Sequence, residues 1–257
     1  MTNQYVGVSG FMSRAEVQAA LAVFPDCGRD IMVGVLASSK SLCNQPLKQP
    51  LRYPKCEDIA NIFVDDPRCL NLVHVYNDHE WKSDVDGTTI PLIIDMFRAM
   101  DAGGPLCHGL QVNAARPTSI DLQWFRDKHP SARVVLQVRP AMIRVLEGHS
   151  RSRLNALGCL ANVTDVLIDA SLGKGKTLNL DATRLSIDTI RHWSPDMRIG
   201  VAGGLCAATV SAIGALIREG VSVDAEGRLR DDTDGGGRLD MFEVQAYLSA
   251  VAAEVAQ

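Results

Sequence analysis

Much that would classify this 257-residue sequence quickly is missing from it, and each absence removes a class of protein. No apolar run approaches the ~18 residues of a membrane span. Residues 1–10 carry neither a basic start nor a long apolar stretch, so no secretory leader is expected. There is no Cys-x-x-Cys pair. The seven cysteines, at 27, 43, 56, 69, 107, 159 and 206, are odd in number and mostly sit in apolar surroundings. They read as reduced thiols of a cytoplasmic protein rather than a disulfide framework. Positive charge is not in excess: 26 Lys and Arg against 30 Asp and Glu leave a net charge of −4. Neither a broad nucleic-acid surface nor a membrane partner is expected. Histidines are scattered, without His-Glu-x-x-His, and the one cluster, Asp78-His79-Glu80, reads as a solvated loop before a metal site. Gly-x-Ser-x-Gly is absent too. So is an early glycine-rich fingerprint, which argues against an open, doubly wound nucleotide-binding sheet.

What is present is alternation. Hydrophobic residues make up 46% of the chain, enough for a sizeable core. Short β-branched runs alternate with segments of helical period. Strands are predicted at Tyr5–Gly10, Ile31–Ser38, Leu70–Tyr76, Gly109–Ala114, Arg133–Val138, Val166–Ala170, Ile199–Ala202 and Val221–Asp224. Most are continuously apolar, as strands buried on both faces of a parallel sheet should be. Ser13 to Glu16 is a capping-box sequence, with Val17, Ala20, Leu21 and Phe24 on one helical face behind it. Val210, Ile213, Leu216 and Ile217 form another stripe, and a last helix should start at Asp240. Eight βα units in this length predict an α/β protein, a single (β/α)8 TIM barrel over residues 1–257. Residues 39–55, with Pro46, Pro50 and Pro54, read as an elaborated βα loop on the face where barrels do chemistry.

Three local motifs stand out. Asp169 ends a predicted strand, and the glycine-rich, basic segment Gly173-Lys174-Gly175-Lys176-Thr177 follows. Glycines let main-chain amides approach an anion, and lysine supplies charge. Gly203-Gly204, after the seventh strand, suits a phosphate nest, which Gly227 after the eighth would complete. Residues 232–243 resemble a calcium loop, with Asp232, Asp234, Asp240 and Glu243 at acidic positions but Gly236 at the fifth. A polar loop ending in an Asp240 N-cap is the simpler account.

In this order the motifs resemble the phosphoribosylanthranilate isomerases of tryptophan biosynthesis. That family runs K-I-C-G, S-P-R-Y, Q-L-H-G, an Asp before G-x-G-K-T, then A-G-G-L. Here stand Gly7-Val8-Ser9-Gly10, Pro50-Leu51-Arg52-Tyr53, Gln111-Val112-Asn113-Ala114, Asp169 before the 173–177 segment, and Ala202-Gly203-Gly204-Leu205. The resemblance covers essentially the whole chain. It implies a barrel without metal or cofactor that performs an Amadori rearrangement on a small phosphorylated substrate. It assigns Asp169 as general acid, Arg52 to a substrate carboxylate, and Gly203 and Gly204 to the phosphate. A homodimer is an option for assembly.

The departures are chemical. Ser9 occupies the place of the family's Cys base, and an unactivated hydroxyl is a far poorer base than a thiol. Gly7 replaces the basic residue before it, and Asn113 replaces the His. On strand 8, Asp224 or Ser222 could hold the acidic position, and Glu226 has no clear counterpart. Three functions are open. The first is an isomerase of a phosphorylated sugar with Asp224, Glu226 or Asp78 as replacement base. The second is a lyase or aldolase on the same barrel, with Lys40 or Lys174 as amine. The third is a non-catalytic phosphate binder.

Overall fold

The computed structural model describes residues 4–77, 92–147, 151–169, 178–231 and 237–257. Eight strands, β1 (Tyr5–Ser9), β2 (Asp30–Ser38), β3 (Cys69–Asn77), β4 (Gly109–Ala114), β5 (Arg133–Val138), β6 (Asp165–Asp169), β7 (Arg198–Ala202) and β8 (Ser222–Ala225), close a barrel in sequence order. Every pairing is parallel. The helices are α1 (Arg14–Val23), α2 (Ser39–Leu42), α3 (Ile59–Ile62), α4 (Leu92–Gly103), α5 (Ser119–Lys128), α6 (Pro140–Glu147), α7 (Arg151–Ala161), α8 (Leu180–Trp193), α9 (Ala207–Val210), α10 (Gly214–Arg218) and α11 (Met241–Val255). Among the described residues, no helix is long and apolar enough to cross a membrane.

The period of two divides each strand between two cores. Val6, Val8, Ile31 and Val33 join the large outer core shared with the helices. Tyr5, Met32, Leu70, Leu72, Val135 and Leu167 form a separate apolar cluster. This second cluster plugs the barrel, and polar layers lie on either side of it. At the strands' N-terminal ends, Asp165 takes two hydrogen bonds from Arg133 (3.0 and 2.7 Å) and two from Arg198 (3.1 and 2.9 Å). At their C-terminal ends Ser9, His74, Gln111, Gln137, Asp169 and Asp224 are all buried.

Local signals were realised with informative exceptions. The Ser13–Glu16 capping box forms, and Asp240 caps α11 by accepting from Phe242 N at 2.9 Å. Such a cap is worth about 1 kcal/mol. β8 starts one residue later than expected because Val221 N donates to Leu216 O, closing the preceding turn. The loop after β2 opens with α2, whose box is Ser38 with Ser41 rather than Ser with Glu. The stripe from Val210 to Ile217 is buried, yet α9 and α10 are separated by a 3-10 turn at Ser211–Ile213. At Gly214 the Glu254 side chain of the C-terminal helix comes so close that a Cβ would lie 2.1 Å from its Oε2. All seven cysteines are free.

Candidate active site

The C-terminal mouth of the barrel holds a cavity of about 350 Å³. Eight residues singled out from the sequence line it together: Arg52, Asn113, Asp169, Gly203, Gly204, Asp224, Glu226 and Gly227. Gly173, Lys174 and Gly175, like Asp78 and the Asp232–Asp234 stretch of the calcium-like loop, lie outside the described residues. Lys40 is exposed on α2, and among the described residues no lysine or cysteine lines the cavity.

Ser9 does not line the wall; it is buried and hydrogen-bonded to Asp224, which does. Its Oγ donates to Asp224 Oδ1 and Oδ2 at 3.2 and 3.3 Å. Gln111 Nε2 donates to Oδ2 at 3.0 Å. Gly7 makes this placement sterically feasible. It is in register with Asp224, and a Cβ there would lie 2.8 Å from Asp224 Oδ1 and 2.7 Å from Met32 Cε. The absence of a side chain at position 7 thus leaves room for a carboxyl from β8. Burial pushes that carboxyl up to about 7; the nearby Glu226 and Asp169 charges act in the same direction, while the Gln111 and Ser9 hydrogen bonds oppose them.

Asp169 faces the same space from β6, and Gln137 Nε2 donates to its Oδ2 at 2.7 Å. Ala202 pairs with Asp169 on one side and Asp224 on the other. Two strand spacings of ~4.8 Å therefore keep the two Cα atoms within about 10 Å. Both strands are even-numbered, so their inward side chains share one layer of the barrel. His74 lines the cavity, and its ring is held well below the usual imidazole range, at about 4, chiefly by burial. It stays uncharged at neutral pH.

Directly after Ala202, the rim beside these two carboxyls carries the diglycine turn. Gly203 and Gly204 have φ of 126° and 60°, conformations that ordinary side chains rarely adopt. Gly227 opens a 3-10 turn, and Arg228 lines the cavity beside it. Gly227 itself is not required sterically, since a Cβ there would meet open space. Glu226 is taken up as a clamp: Oε1 lies 2.7 Å from Arg52 Nη2 and 2.9 Å from Arg230 Nη2. This ion triad ties the long β2–β3 connection to the loop after β8.

Residues missed from sequence are His74, Gln137, Arg139 and Arg228, and Gln111 was quoted in a motif but given no role. His74, Gln111 and Gln137 are polar interruptions of strands otherwise buried on both faces, close to the C-terminal end. That was their available signal. Arg139 directly follows β5 and reaches Asn113 Oδ1 at 3.5 Å.

No family model matches the sequence, and no curated protein matches it. Solved structures do match in shape. The phosphoribosyl anthranilate isomerase of Thermus thermophilus superposes with a TM-score of 0.64 at 14% identity, covering 97% of this chain and 98% of that one. TrpF from Jonesia denitrificans gives 0.62 at 18% identity, with 98% of each chain covered. N-(5'-phosphoribosyl)anthranilate isomerase from Pyrococcus furiosus gives 0.58 at 15%, covering 97% and 98%. A Pyrococcus furiosus chitinase domain still reaches 0.56 at 9% identity. Likeness at these identities carries the (β/α)8 fold, and the chemistry has to be argued from the side chains.

Proposed function

We propose that this chain is an enzyme, an aldose–ketose isomerase of a phosphoribosyl amine or a related phosphorylated sugar, working by an Amadori rearrangement. One observation carries the reading. Two buried carboxyls in register with Ala202, Asp169 and Asp224, share a cavity with a positive-φ diglycine turn at its rim. The phosphate docks at Gly203, Gly204 and Gly227, with Arg228 supplying charge. Asp169 protonates the ring oxygen, and the C1–O bond breaks to leave an iminium. Asp224 takes the C2 proton, and the resulting enolamine tautomerises to the C2 ketone. The sequence of steps is redox-neutral and consumes no co-reactant. A carboxyl titrating near 7 is matched to proton abstraction at neutral pH. Ser9, in the place of a thiol base, serves instead as a hydrogen-bond donor to the new base.

The test is ketone formation from a panel of N-aryl phosphoribosylamines. Asp169→Asn should lose about 10²–10⁴-fold in kcat, the usual worth of a general acid, while Ser9→Ala changes it by less than about tenfold. Equal, large losses in both variants would make Ser9 the base and remove Asp224 from that role.

A further inference from the structure

Resting on the reaction just proposed, we infer that His74 is a further catalytic residue, whose Nε2–H donates a hydrogen bond to the substrate's C2 oxygen. His74 sits on β3 directly in register with Gln111 and lines the cavity. Gln111 Nε2, which already donates to Asp224 Oδ2 at 3.0 Å, lies 3.4 Å from His74 Nδ1. An amide nitrogen only donates, so Nδ1 accepts and the ring proton resides on Nε2. On its other side the ring N–H faces the side chain of Gln137, the residue that holds Asp169, in a hydrogen-bonding interaction that favours the protonated ring and that a substrate oxygen has to displace. The ring thus stands between the holder of the proposed base and the holder of the proposed acid.

The surroundings explain what such a ring can do. Burial keeps it uncharged, so it competes for neither the phosphate nor the proton that Asp224 removes. An uncharged imidazole is a weak acid, suited to polarising an oxygen without giving up its proton. In the isomerisation the C2 oxygen changes from hydroxyl to ketone. A donor fixed on that atom favours the enolamine and the developing carbonyl over the closed sugar. No proton is transferred by His74, and the step balances as written for Asp169 and Asp224.

Two measurements test this. In the wild-type protein, ¹⁵N NMR of the histidine rings should show His74 as the Nε2–H tautomer, with no protonation between about pH 5 and 8, as a ring at about 4 requires. An Nδ1–H tautomer overturns the inference whether or not any variant folds. In kinetics with an N-aryl phosphoribosylamine, His74→Leu should lower kcat about 10²-fold, with KM moved by less than about threefold, as for loss of one preorganised donor. His74→Gln, which keeps an N–H, should recover part of that loss. A kcat within about threefold of wild type in folded His74→Leu would refute the role while the proposed reaction stands. Absence of turnover together with absence of ribose 5-phosphate binding in the wild type would overturn both.

Discussion

Replacing Asp224 by Asn should stabilise the protein as pH rises while destroying its proposed activity. In the unfolded chain the carboxyl titrates at 3.8, and in the barrel near 7. Between those values the native state holds a proton that the unfolded state does not. Stability from this group is therefore greatest at acid pH and is lost as pH climbs through 7. The gap is about three pH units at ~1.36 kcal/mol each, or about 4 kcal/mol in all. Asp224 is only 5% exposed, so solvent screening removes little of it. Asn has nearly the same shape but no charge to bury. It also turns an N–H toward Ser9 or Gln111, a cost that is constant with pH and cancels from the slope. Urea unfolding of both proteins from about pH 4 to 8 isolates the effect of this carboxyl together with its coupling to Glu226 and Asp169, because titrations elsewhere are common to them. The stability difference should move in favour of Asn by up to about 4 kcal/mol across that range. A difference that stays flat within about 1 kcal/mol would mean that the carboxyl ionises normally and that the case for Asp224 as a tuned base is wrong. The companion kinetic expectation is that wild-type kcat/KM rises with pH and levels off above about 7.

Three further outcomes follow from the same geometry. Gly7→Ala should push the Asp224 carboxyl and the Met32 Cε aside, costing about 10²-fold in kcat while the protein remains folded by circular dichroism. Gly203→Ala, at φ 126°, should cost about 1–3 kcal/mol in unfolding experiments and raise KM for phosphorylated compounds. Asp165→Ala leaves Arg133 and Arg198 without their shared partner, a loss of about 3–5 kcal/mol by chemical denaturation. Burial pushes the Asp165 carboxyl up, yet the two guanidiniums more than offset it, so the net direction is down. That contribution is present above the ordinary carboxylate range and is lost as pH falls through the lowered native value.

How much of this was legible in the sequence depends on the kind of information each residue carries. Barrel closure follows from eight apolar strands, each needing cover on both faces, and the strand bounds differ from expectation by one or two residues at most. Asp169, Gly203 and Gly204 were visible because a strand end followed by glycine is a local pattern. Ser9 was visible as a departure, but its consequence was not. A serine at that position says nothing about what lies across the β1–β8 seam, and its partner is 215 residues away.

Gly7 shows why the two departures belong together. Taken singly, a glycine where a basic residue is expected reads as a loss, and so does a serine in place of a thiol. In the barrel they face one object, because positions 7 and 9 lie on the same inward face of β1 and Asp224 is in register with the first of them. The glycine removes the atoms that would collide with the carboxyl, and the serine hydroxyl satisfies its oxygens. Neither change is useful alone: a side chain at 7 would exclude the carboxyl whatever stood at 9. An apolar residue at 9 would leave a buried carboxyl short of a donor, at a cost of about 1–3 kcal/mol. In the proposed reaction the base stands on the eighth strand, accommodated by a pair of small residues on the first, a coupling set by register and therefore invisible to any motif read along the chain.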